Sequence, residues 1–406
     1  MAKRREAEKQ RCSSNSSSSS SNWAGLHDDL LDLILEKLVH LSDIIRFSSV
    51  CKPWSSKALI HQENIRKLIN HQPPGILLSS IDLEVSQERK LSLYNLFDSS
   101  DQILNNKLHI PPEYKNHECI GSSYGWLFYK DVGNRVIQLL NPICGTVIPL
   151  PPISIPGKKN LVPFNDFENF TLSSDPSLGS FEVLTIRSDC LLVAHLKFGD
   201  EFWTCLLVDE GIEIPKFTFY KNFILGFDSR SSKLFSLDII RSSNGSSRSP
   251  ELREIAVVPN KVSYGFPFFS TFVETTNGEL LMVHRYWHNQ TRYKIFKTIC
   301  LNGQFDIIPV DNLDGHCLFF RQNFNDSNLC ISVLASNFAG CRANSIYYPL
   351  WFRIEGCNLK FTIQEFNLED ESVQINTKSV PISNTGSSLR DVFLLVPSIK
   401  HARRTN

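Results

Sequence analysis

The spacing of apolar residues changes once along the chain, near residue 70. Before it, Leu30, Ile34 and Leu38 recur at helical spacing, and Leu31 and Leu35 widen the stripe. Asp28 and Asp29 stand where a helix N-terminus favours negative charge. Ser42-Asp43 marks a second start, followed by Ile44, Ile45, Phe47 and Val50. Pro53 suits the first turn of a third helix, which would run through Trp54, Leu59 and Ile60 toward Leu68. His71-Gln72-Pro73-Pro74-Gly75 then stops the helical period. Residues 22–70 are therefore predicted as a small three-helix domain, with little apolar surface to stand on alone.

From residue 76 to 396 the period shortens. Runs rich in Phe, Val, Ile, Leu and Tyr occupy 125–129, 136–140, 181–186, 191–196, 202–208, 223–227 and 234–240. They continue at 268–273, 280–286, 293–301 and 329–334, separated by Gly, Asn, Asp, Ser and Pro. Regular short strands with turn residues between them predict an all-β repeat architecture over 71–396. Asn277-Gly278 and Asn302-Gly303 predict hairpins, because both central residues tolerate positive φ. Loops are expected at 154–160, at 241–250, and from the acidic 369–371 through its polar continuation to 388. At ~40–50 residues per blade, a propeller here would have roughly six to eight blades. Residues 1–21, with Lys3, Arg4, Arg5, Lys9 and Arg11 followed by a serine tract, read as a disordered tail, and 397–406 as a second tail. The basic cluster reads as a solubilising feature first and as a nuclear-import signal second.

Composition narrows the function classes. Of 406 residues, 28 are Phe and only 2 are Met, which suits pleated sheet better than helix bundles. Lys+Arg and Asp+Glu are both 42, so the polyelectrolyte attraction of a nucleic-acid binder is not expected. No apolar run approaches the ~20 residues of a membrane helix. The 11 cysteines include no Cys-x-x-Cys pair, and the charged first residues do not read as an export signal. Reduced thiols and a place in the cytoplasm, the nucleus or both are therefore expected. On that expectation the sequons at Asn169, Asn244, Asn289 and Asn325 are chance matches.

Two short motifs invite chemistry. Gly121-Ser122-Ser123-Tyr124-Gly125 fits the G-x-S-x-G of serine hydrolases, which needs its serine on a strand-to-helix turn. Here Trp126-Leu127-Phe128-Tyr129 follows and reads as a strand, so the motif is taken as a turn. His284 and His288 have the i, i+4 spacing of a zinc pair on a helix, but their context reads as strand, where they lie ~13 Å apart. No catalytic residue, cofactor or metal is expected.

Residues 23–56 resemble the F-box family through Leu26, Asp29-Leu30-Leu31, Ile34-Leu35, Leu38, Leu41, Asp43-Ile44, Arg46-Phe47, Val50-Cys51-Lys52 and Trp54. One departure is Leu26-His27, where the family usually has Leu-Pro. The rest resembles the plant F-box-associated KIB-type propeller family. Gly121–Leu127 matches its glycine-tryptophan signature, and Leu139-Leu140-Asn141-Pro142 with Gly145 and Leu150-Pro151-Pro152 matches the hairpin after it. Phe272-Val273-Glu274 with Gly278-Glu279-Leu280-Leu281, then Tyr293–Lys297 and Asn344–Tyr348, match later stations, and Phe305 stands where the family often has Trp. The resemblance implies a mainly β protein in which a three-helix F-box precedes a propeller. It would be the substrate-recognition subunit of a Skp-cullin-F-box ubiquitin ligase. Leu26, Leu30, Ile34, Leu38, Val50 and Trp54 would dock a Skp-type adaptor, and through it a cullin, while the propeller holds an unidentified target protein. Some of these six must instead form the small internal core. The alternative is a non-degradative protein whose propeller sequesters a partner such as a kinase, a reading that His27 favours.

Overall fold

A computed structural model describes residues 23–38, 47, 50–60, 75–82, 89–95, 108, 110–111, 114, 117–131, 136–142, 145–153, 167–187, 192–207, 211–239, 251–259, 267, 269–288, 290–320, 330–338, 340–355, 358–381 and 387–395. The chain divides into two compact units, Met1–Gln62 and Glu63–Asn406.

In the first unit a 3-10 turn, Trp23–Gly25, precedes α1 (Asp28–Lys37), and α2 spans Lys52–Ile60. His27 is the N-cap of α1, its Nδ1 accepting a long 3.5 Å hydrogen bond from the Asp29 N–H. Its φ of −63° is the value a proline ring would impose, so the missing proline costs no backbone geometry. Leu31 and Leu35 of α1 are buried with Phe47, Trp54 and Ala58. The rings of Phe47 and Trp54 lie 4.5 Å apart, and the Trp54 indole donates to the Trp23 carbonyl at 3.0 Å. Lys57 of α2 reaches across to Asp32 at 2.9 Å and Asp28 at 3.6 Å on α1. Phe47 is helical, as expected of the second helix; the remainder of that helix and the extension of the third toward Leu68 lie outside the described residues.

The second unit is built from sheets. β1 (Gly75–Asp82) and β2 (Arg89–Asn95) come first. β3 (Glu118–Ser123), β4 (Trp126–Asp131), β5 (Val136–Leu140) and β6 (Val147–Pro149) form an antiparallel meander. β7 (Phe167–Leu172), β8 (Glu182–Arg187), β9 (Leu192–Lys197) and β10 (Thr204–Leu207) form a second. β11 (Phe217–Tyr220), β12 (Phe223–Asp228), β13 (Lys233–Asp238) and β14 (Glu251–Val257) form a third. β15 (Phe269–Glu274), β16 (Leu280–His288), β17 (Gln290–Leu301) and β18 (Gln304–Val310) form a fourth. The fifth sheet has β19 (His316–Phe320), β20 (Cys330–Leu334), β21 (Ser345–Glu355), β22 (Asn358–Asn367) and β23 (Val373–Pro381) in the order β20-β19-β21-β22-β23, with β19 and β21 parallel. β24 (Ser387–Leu395) returns to pair antiparallel with β1, giving a three-stranded sheet β2-β1-β24.

Successive sheets meet: β3 touches β7, β7 touches β11, β14 touches β18, β15 touches β20, and β24 touches both β3 and β21. This is a β-propeller. Five sheets carry the four or more strands of a complete blade among the described residues. Against the expected six to eight blades, these five complete sheets stand beside the three-stranded sheet β2-β1-β24.

Each blade is packed on both faces, which explains why its strands read as continuous apolar runs rather than alternation. Trp126 and Phe128 pack with Phe170 and Phe181 of the next blade, and Phe227 and Leu234 pack with Met282 and Phe296. Outer strands differ. β14 and β23 are largely exposed, and the expected loop from 369 to 388 in fact contains β23, paired with β22 along its whole length. Its strand character comes from the ladder hydrogen bonds, which a polar edge sequence does not advertise. Asn302-Gly303 forms the expected two-residue turn with positive φ at both residues. Asn277-Gly278 does not: only Gly278 has positive φ, and the loop is closed by Thr275 and Glu279.

Two expected outcomes follow from this packing. Trp126 is 0% exposed and its indole donates to Asp175 Oδ1 at 3.1 Å across the blade boundary. Trp126→Ala should therefore cost ~3–5 kcal/mol in denaturant unfolding. A cost near that of a surface substitution would contradict the packing. His284, on β16, is 2% exposed between Phe227 and Phe296, and burial lowers its pKa from 6.5 to about 3. Below pH 6.5 the unfolded chain takes up a proton that the native state refuses, so stability falls as pH drops toward 3. The loss reaches roughly 2–3 kcal/mol two units below the unfolded pKa. His284→Phe should flatten this decline between pH 6.5 and 4.5, measured relative to each protein's own stability at pH 7.5.

Candidate partner-binding surfaces

The first unit sorts the six expected docking residues. Leu30 is 49% exposed and Val50 is exposed as well, while Leu26, Ile34 and Leu38 are half-buried. Trp54, only 8% exposed, belongs to the internal core instead. Leu33 and Trp23, which the helical stripe did not single out, are exposed beside them. Leu30 with Leu33 and Ile34 form one i, i+3, i+4 ridge on α1, on a different side from Leu31 and Leu35. A two-faced helix of this kind buries one side within its own unit and leaves the other apolar to solvent. The signal was present in Leu33, three residues after Leu30.

In the propeller, leading strands of the five complete blades converge on an axial pocket of about 490 Å³. Its wall carries Ser123, Thr171, Lys216, Glu274, Cys330 and Ser332, one or more from each of the five blades. Lys216 sits immediately before β11 and is 9% exposed. Two contacts hold that segment. Asn169 of β7, at φ 56°, donates through Nδ2 to the Pro215 carbonyl at 2.8 Å. Phe217 pairs with Gly226, where a Cβ would stand 2.6 Å from the Phe217 ring, so only glycine fits. Burial pushes the Lys216 ammonium down to about 8, with Cys330 beside it acting in the opposite sense. Partial burial raises Glu274, and Lys221 acts against that rise. Ser122–Gly125 and Phe272–Glu274 of this lining lay in motifs noted in the sequence, but nothing there marked them as one site, because its members are brought together only by ring closure.

The two motifs suggesting chemistry resolve differently from their namesakes. Ser123 ends β3 at a two-residue hairpin turn made by Tyr124 (φ 50°) and Gly125 (φ 79°), with Ser123 paired to Trp126. There is no helix after it, and its hydroxyl accepts the Leu172 N–H at 3.2 Å. His284 and His288 lie on the single strand β16, and among the described residues no group of three His, Cys, Asp or Glu side chains is arranged to hold a metal. The seven cysteines among the described residues are free thiols, and no described helix is long and apolar enough to cross a membrane. Ser123→Ala should still fold, at a cost of about 1–3 kcal/mol for leaving the buried Leu172 N–H without this acceptor, and a fluorophosphonate probe should leave Ser123 unlabelled in the wild type. Covalent labelling there would revive a hydrolase mechanism.

No curated protein matches the chain. Among solved structures, a protein from Lactobacillus plantarum is 11% identical, with 78% of this chain and 99% of that one covered at a TM-score of 0.36. A nidogen/laminin complex chain is 12% identical, with 79% and 98% covered at a TM-score of 0.34. Overlaps this low carry nothing about function. The family description "KIB1-4 beta-propeller" matches residues 93–373, from β2 to the start of β23. Most of the chain lies within that match, and the protein belongs to the KIB1-4 beta-propeller family.

Proposed function

We propose that this chain is the substrate-recognition subunit of a Skp-cullin-F-box ubiquitin ligase. The first unit docks a Skp-type adaptor, and the propeller, a protein-interaction domain, holds the target. The observation that carries the reading is the division of labour on α1: Leu31 and Leu35 are buried while Leu30 and Leu33 are left apolar and exposed. His27 keeps a proline-like φ, so the departure from the F-box pattern does not count against docking. The three-stranded sheet joining β24 to β1 and β2 is read as a sixth, closing blade. Such a subunit breaks no bond itself. It raises the target's effective concentration at the ubiquitin-conjugating enzyme.

The test is co-purification of the adaptor with the full chain and with Leu30→Arg, Leu33→Arg. Each leucine buried in an interface is worth ~1.5–3 kcal/mol, so losing both should weaken binding by about 10²- to 10⁴-fold. Both side chains are exposed in the unit, so the variant should unfold at the wild-type temperature. Equal adaptor recovery from the folded variant would sink the docking surface.

A further inference from the structure

The fifth sheet brings two thiols together. Cys317, the second residue of β19, is 0% exposed. It shares a face of that strand with Phe319, two residues on. Phe319 stacks on Tyr347 of β21 with ring centroids 5.0 Å apart. The Tyr347 hydroxyl in turn accepts the Arg342 N–H at 2.8 Å, which holds the segment before β21 over the same face. A backbone bond fixes that segment's far end: the Asn344 N–H donates to the His316 carbonyl at 2.8 Å. Cys341, half-buried beside Arg342, thereby meets Cys317, and the two thiols share a hydrogen bond. That bond first, and burial after it, push the Cys317 thiol far above its usual pKa.

We infer that Cys317 and Cys341 are a redox pair, closed by a peroxide into a disulfide that staples β19 to the segment leading into β21. Cys341 is the thiol that peroxide reaches first, because Cys317 is sealed from solvent and kept protonated. The peroxide O–O bond breaks as one oxygen joins the Cys341 sulfur, giving a sulfenic acid, and the other oxygen leaves as water. The Cys317 sulfur then bonds to the Cys341 sulfur. The S–O bond breaks, and the hydroxyl leaves with the Cys317 proton as a second water. A sulfenic acid with a thiol beside it condenses before more peroxide carries it to the irreversible sulfinic acid. The bridge needs sulfurs ~2.05 Å apart. Cys341 lies outside the strand ladder, so its segment can shift to close the gap between thiols already in contact. The staple sits at the pocket-bearing end of the propeller: Cys317 follows His316, whose Nε2 is 2.7 Å from the Thr276 hydroxyl on the axial pocket wall. Reducing conditions keep the pair open, and a pulse of oxidant closes it.

The experiment uses the full-length chain, reduced and then freed of reductant. It is exposed to about 1 mM hydrogen peroxide, quenched with N-ethylmaleimide in denaturant, and mapped by peptide mass spectrometry without reduction. A cross-link between Cys317 and Cys341, located by fragmentation, should form and should revert with dithiothreitol. The two cysteines should lose maleimide labelling in step, about fivefold faster than half-buried Cys300. Cys317→Ser removes the second thiol, so dimedone, which traps sulfenic acids, should mark Cys341 more strongly in that variant than in wild type. Cys341→Ser should leave Cys317 reduced after the same exposure. If Cys317→Ser fails to fold, the mapping of wild type decides alone. Cys341 oxidised while Cys317 stays free, or both persisting as thiols, would overturn the inference. Neither outcome bears on adaptor docking, since no adaptor is present.

Discussion

The propeller depends on the pairing of β24 with β1. Seven of the eight residues of β1 are also paired to β2, so β1 is bonded on both sides once the last strand arrives. Without it, β1 would present an open row of backbone donors and acceptors, and the contacts of β24 with β3 and β21 would be missing on either side. A ring has no spare interface. Every blade packs on two neighbours, so each inter-blade cluster relies on the seam for its curvature. The seam, like several pairs within the blades, has an irregular register, with a shift between Ser79 and Ser80. Such a bulge increases local twist, which helps a strand meet a partner from the far end of the chain.

What could be read from residues alone follows from where each strand sits in a blade. The middle strands β4, β9, β12, β16 and β17 have both faces covered, so their Phe, Val, Ile and Leu runs stand out against the punctuation. Edge strand β23 was invisible because Gln374, Asn376 and Thr377 face solvent alongside Val373 and Ile375. The Asn277-Gly278 turn was half right: the glycine takes the left-handed conformation, but Thr275, bonding the Glu279 N–H through its hydroxyl, lengthens the loop. The axial pocket could not be read, since it draws a few residues from each of five blades spread between Ser122 and Ser332.

The helical unit shows a different limit. Its stripe of Leu and Ile was plain, yet the period does not say which side turns inward. The Trp54 indole N–H, donating to Trp23, and its ring against Phe47 commit it to the interior. That in turn leaves Leu30 and Leu33 outside. A helix of 10 residues cannot serve two apolar surfaces equally, and the aromatic pair decides the matter.

The position of β24 has a consequence for synthesis on the ribosome. Chains emerge at about 5–20 residues per second, so the interval between β1 and its closing partner is on the order of tens of seconds. During that time Gly75-Ile76-Leu77-Leu78 remains an unclosed edge bearing three successive large aliphatic residues. The blades between can form in order as they appear, but none of them can complete this one. The nascent chain thus carries its most association-prone edge longest, and a holding chaperone that shields a short aliphatic strand would act at this place and for this interval.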